Sequence, residues 1–138
     1  MFLNVHSSYS LKYGTIDVKE VVRQARALGI RQMALTDINN STGVMEFIRE
    51  CYQQGIAHEA DDIPYQIKPI AGIEFRRDNH LLYIGIARNK EGMRELNEFL
   101  SHHNIEATPL PDNAPSLPDV FFIYPFTKTF NRKLKLNE

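Results

Sequence analysis

Three short apolar runs, each ending in a polar residue and separated by segments of helical period, constrain this chain more than any other feature. His6 follows Phe2-Leu3-Asn4-Val5, Asp37 follows Met33-Ala34-Leu35-Thr36, and Glu74 follows Pro69-Ile70-Ala71-Gly72-Ile73. Runs of this length read as buried strands. Between the first two, Val18, Val21, Val22, Ala25 and Leu28 recur at helical spacing, with Asp17 and Glu20 placed as a capping box and Gly29 as a stop. Between the next two, Val44, Phe47, Ile48 and Cys51 mark a helix from about Ser41 to Gln54, ended by Gly55. Strand–helix–strand alternation implies parallel strands joined by right-handed crossovers. Parallel neighbours would bring His6, Asp37 and Glu74 to one rim of the sheet, where α/β folds build their sites.

The rest of the chain departs from strict alternation. Lys68 to Phe75 and His80 to Ala87 read as strands joined by the turn-like Asp78-Asn79, hence a hairpin. A third helix begins after the N-cap Asn89 and carries Met93, Leu96, Phe99 and Leu100 on one face. Residues 57–66 are polar, contain Pro64 and read as a loop insertion. The expected organisation is an α/β domain over 1–104, a Pro-rich linker over 105–118, a further strand within 119–127 (Val120 to Tyr124) and a basic tail over 128–138. That makes about five strands and three helices.

Composition excludes some classes and leaves others open. A chain of 138 residues with 43% hydrophobic and 24% charged residues can bury one core. A net charge of −1 carries no overall basic footprint for nucleic acid. Lys128, Arg132, Lys133 and Lys135 near Phe126 and Phe130 form a short basic tail. Such a tail can contact nucleic acid, and more often is a solvated linker. One cysteine forbids an internal disulfide and fits a cytoplasmic location, and no apolar run approaches the roughly 18 residues of a membrane span.

The segments "NVHSSYSLKYGT", "ALTDINNSTGVMEFIRECYQQGI", "KPIAGIEF" and "HLLYIGIARNKEGMRELN" occur in that order over residues 4–97. They resemble the N-terminal PHP (polymerase and histidinol phosphatase) domain of bacterial DNA polymerase III alpha subunits. The resemblance implies a distorted (β/α)7 barrel, here partial or truncated, and a role in DNA replication within a nucleotidyltransferase. Family members open with His-x-His-Ser-x-Tyr-Ser followed by Asp-Gly, continue with Thr-Asp-His and Gly-x-Glu, and hold divalent metals that activate water against a phosphoester. A later Asp-x-His motif of the family has no counterpart in these residues.

Position by position the pattern is broken. His6 and Glu74 match ligands, and Asp37 is a third candidate. Asn4 stands where the first histidine belongs, Tyr13 where the aspartate belongs, and Ile38 where the Thr-Asp-His histidine belongs. Isoleucine has no lone pair, an amide oxygen is a weak ligand for Zn²⁺ or Mn²⁺, and tyrosine ligates only as phenolate. The expectation is therefore a degenerate metal site with no catalytic residue and no cofactor. Any ion held would be divalent, Zn²⁺, Mn²⁺ or Mg²⁺.

Each residue also has a purely structural reading. His6 can hydrogen-bond at a strand end. Asp37 with Asn39, Asn40 and Ser41 can cap the second helix. Glu74, as a buried charge, needs a partner, for which Arg76, Arg77 and His6 are the candidates. His80 is a weak ligand candidate, His58 a solvated loop residue, His102 and His103 a helix end, and Cys51 core. The expected role is a structural scaffold within a polymerase. Its partners would be the remainder of that chain and replisome subunits, with DNA reached only through the parent protein and no membrane. Exposed sheet edges favour homodimerisation as a further association. A phosphoesterase with a reduced metal site and a free-standing interaction module are the alternative functions.

Overall fold

A computed structural model describes residues 1–56 and 67–126. The insertion at 57–66 with His58, and the basic tail from Lys128, lie outside them. Five strands, β1 (Phe2–Val5), β2 (Gln32–Leu35), β3 (Lys68–Arg77), β4 (His80–Ala87) and β5 (Val120–Ile123), form one mixed sheet in the order β1-β2-β3-β4-β5. β1–β2 and β2–β3 are parallel; β3–β4 and β4–β5 are antiparallel. Three helices accompany them: α1 (Val18–Ala27), α2 (Val44–Ile56) and α3 (Lys90–Ile105). The order is linear, with β1 and β5 at its edges.

Local chemistry explains where the elements start and stop. The Asp17 carboxylate accepts from the Glu20 N–H at 2.8 Å and caps α1. Glu20 does not complete the box; its carboxylate turns to Arg23 and Gln24. Gly29, at φ 70°, ends the helix in a Schellman motif: its N–H reaches Arg26 O at 2.9 Å and Ile30 N–H reaches Ala25 O at 2.9 Å. Asn89 caps α3 through Gly92 N–H at 3.0 Å. α2 begins at Val44 rather than Ser41 because Asn40, Ser41 and Thr42 form a turn, with Asn40 Oδ1 accepting from Thr42 N at 3.1 Å. It also runs through Gly55 to Ile56, so that glycine lies within the last turn instead of stopping it. The β3–β4 connection is the expected tight turn, with Asp78 at φ 56°.

Two clusters bury the helices on one face of the sheet. Val18, Val22 and Ala25 of α1 and Phe47 and Cys51 of α2 pack on Met33 and Leu35, while Leu96 and Leu100 of α3 pack on Ile73, Phe75, Tyr83, Val120 and Phe122. Strand alternation sends Ala34, Ile84 and Ile86 to the opposite face, where strand residues alone form a third cluster with Leu3, Ile70, Leu81 and Ile123. The Pro-rich residues contribute to the second cluster, since Leu110 and Ala114 are buried there. Arg77 holds them by donating to Leu110 O at 3.1 Å and by pairing with Asp112.

Candidate functional site

The parallel register of β1, β2 and β3 brings their carboxyl ends together. Beyond Leu35 the pairing continues: Thr36 N donates to Val5 O at 2.9 Å, Glu74 N to Asp37 O at 3.2 Å and Asn39 N to Glu74 O at 2.9 Å. Ile38 thereby pairs beside Glu74. The three polar residues at the strand ends do share one rim, but they divide into two networks.

The first network centres on Glu74, which is fully buried opposite Ile84 on the helix-free face. Its Oε2 meets Asn4 Nδ2 at 2.8 Å and His6 Nε2 at 2.9 Å. Its Oε1 accepts from the Arg76 guanidinium. Burial pushes this carboxyl up, yet the hydrogen bonds from His6, Arg76 and Asn4 outweigh it and leave the pKa below the ordinary value. Asn4 is itself oriented by Thr36, whose Oγ1 donates to Asn4 Oδ1 at 2.8 Å.

The second network centres on Asp37, also fully buried. Its Oδ1 accepts from Ser7 N at 2.7 Å and Ser10 Oγ at 2.6 Å, and its Oδ2 from Ser7 Oγ at 2.7 Å. Ser10 Oγ also accepts from Ile38 N at 2.9 Å. Asp37 therefore fastens the β1–α1 loop and does not cap α2, because its oxygens are taken by the donors of a buried turn. Gly14 and Gly43 make this closeness feasible. A Cβ on Gly14 would lie 1.6 Å from Ser7 O, and one on Gly43 would lie 3.0 Å from Asp37 Oδ2.

Arg76 links the rim to its cover. The guanidinium carbon lies 4.3 Å from the centroid of the Tyr13 ring. The Tyr13 hydroxyl donates to Asn79 Oδ1 at 3.2 Å, tying the β1–α1 loop to the β3–β4 turn. Asn39, at φ 49°, fixes the Arg76 backbone from both sides: its Nδ2 donates to Arg76 O at 2.8 Å and its Oδ1 accepts from Arg76 N at 2.9 Å. Sequence reasoning placed Asn39 with helix capping and overlooked Thr36, Ser7 and Ser10 as site residues. The signal available was their position within the same motifs as the ligand candidates.

Other histidines lie elsewhere. His80 is exposed at the hairpin turn, opposite Arg77. His102 and His103 close α3, with His103 Nδ1 2.9 Å from Thr108 Oγ1. Among the described residues, no three His, Cys, Asp or Glu side chains are grouped to hold a metal ion. No described helix is long and apolar enough to cross a membrane.

The open α/β sheet with this rim defines the class of domain. A family model for the PHP domain matches residues 3–123, and the chain belongs to that family. Its relatives include DNA polymerase III subunit alpha of Treponema pallidum (strain Nichols), 33% identical over 118 residues that cover 75% of this chain and 9% of that protein. The same subunit of Escherichia coli (strain K12) is 32% identical over 105 residues, 72% of this chain and 8% of that protein. The chain thus spans less than a tenth of these relatives' length. Among solved structures, a protein from Bifidobacterium adolescentis assigned as a metal-dependent phosphoesterase shares the fold at a TM-score of 0.52 and 16% identity, over 75% of this chain and 33% of that one.

Proposed function

We propose that this chain is the PHP domain of a DNA polymerase III alpha subunit and serves there as a metal-independent structural scaffold in DNA replication. One observation carries the reading: protein donors engage both oxygens of Glu74. Asn4 and His6 share Oε2, and Arg76 takes Oε1. A multinuclear hydrolytic centre needs several free ligands per ion and room for an activated water. Here the Asp37 oxygens are committed to Ser7 and Ser10, the Tyr13 hydroxyl donates to Asn79, and Ile38 has no lone pair. The donor set does not fit such a centre.

The scaffold role follows from what the network joins. It ties together β1, β2, β3, the β1–α1 loop and the β3–β4 turn, adding a polar lock to their backbone pairing and apolar packing. In this reading the sheet forms part of a distorted barrel, and the remainder of a polymerase chain and other replisome subunits are its partners. DNA would be engaged through that larger assembly. The test is metal analysis of the purified chain together with thermal melting in EDTA and in 1 mM MnCl₂ or ZnCl₂. Equal melting temperatures and substoichiometric metal are expected; one equivalent of tightly held ion would overturn the reading.

A further inference from the structure

Arg76 occupies an unusual position. Its charged group is largely shielded from water, with only 16% of the side chain exposed, and lies between an aromatic face and a fully buried carboxylate. Its backbone is clamped on both sides by the Asn39 amide, so the side chain leaves the strand from a fixed point. The guanidinium is permanently charged and cannot step aside by losing a proton. We propose that Arg76 is the resident cation of this rim: held by Tyr13, it fills the Oε1 side of Glu74 and excludes divalent ions from the ligands that remain.

The proposal rests on the scaffold reading and goes beyond it. Ligand loss alone would leave a weak site that a restored ligand could strengthen. A resident guanidinium blocks the site whatever ligands return, because a cation beside Glu74 repels a second one and already uses its oxygen. Tyr13 matters for the same reason. Its ring stacks on the guanidinium and its hydroxyl anchors to Asn79, so the residue at a vanished ligand position now retains the substitute charge.

The experiment is a Mn²⁺ titration of the full 138-residue chain, followed by the electron paramagnetic resonance of the free ion. The samples are wild type, N4H, N4H/R76K and N4H/R76Q, each checked for folding by circular dichroism. N4H and N4H/R76K are expected to bind no more tightly than wild type, since the cation stays. N4H/R76Q should gain about tenfold or more in affinity. Equal affinities of N4H and N4H/R76Q would overturn the proposal and leave the scaffold reading standing. Stoichiometric Mn²⁺ on the wild type would overturn both. Should R76Q variants fail to fold, N4H/R76M keeps an unbranched side chain against Tyr13 without the charge. Tighter Mn²⁺ binding than N4H is then expected, and no gain would overturn the proposal.

Discussion

The Asn4 side-chain amide donates to Oε2 of Glu74 at 2.8 Å, across the strand ends. This buried carboxylate faces N–H groups from three side chains, and hydrogen bonds hold the rim.

Removing the carboxylate should be costly. Glu74→Ala leaves Arg76 beside a void, with Asn4 and His6 deprived of their acceptor. A loss of about 3 kcal/mol is expected, in the range for breaking a buried ion pair from one side. Asn4→Ala removes one neutral donor at a more exposed residue and should cost about 1 kcal/mol. Urea denaturation of both variants measures the difference.

Acid should weaken the same network. The native Glu74 pKa lies below its ordinary value of 4.5, so on acidification the unfolded chain takes up the proton first. The stabilisation is fully present above the ordinary value and is lost as pH falls through the lowered native one. Unfolding free energies from pH 7 to pH 3 should fall more steeply for wild type than for Glu74→Gln. Parallel curves would contradict this account.

Two glycines should behave differently for separate reasons. Gly14→Ala places a methyl group 1.6 Å from Ser7 O, a backbone clash that nothing nearby can relieve, so this variant should lose several kcal/mol or fail to fold (roughly 3 kcal/mol or more). Gly29→Ala meets open space but retains a φ of +70°, and should cost only about 1 kcal/mol. Thermal melts of the pair give the ranking.

Cys51 should be inert until the chain unfolds. Burial, with the Glu50 charge second, pushes its thiol up to about 12. From an ordinary 9.0, that lowers the thiolate fraction at pH 8 by roughly a thousandfold. Reaction with a thiol-specific disulfide reagent should be slow in buffer and fast in denaturant. Rapid labelling of the folded protein would place the thiol at the surface.

Much of the fold was legible because it follows local rules. Asp17, Gly29 and Asn89 act at helix ends by contacts within a few residues, and Asp78-Asn79 closes a hairpin between adjacent strands. The helix-period residues of α1 and α3 pack where their spacing puts them, except Leu28, which falls at the C-cap of α1 and is exposed. The partner of Asp37 was misread because its local neighbours, Asn39 to Ser41, offered a plausible cap. Its real donors, Ser7 and Ser10, lie 30 and 27 positions away.

The strand–helix rhythm, the family and the chemical type of Asn4, Tyr13 and Ile38 are all legible in the chain itself. The tertiary structure settles which of the candidate partners reach Glu74 and that Asn4 joins them. Arg76 is two positions from Glu74 on β3, but the meeting of Glu74 with the His6 imidazole and the Asn4 amide depends on residues 68 and 70 positions away reaching the same rim. Periodicity carries no information at that separation; the hydrogen-bonding demand of a buried carboxylate, met only when the fold closes around it, supplies the selection.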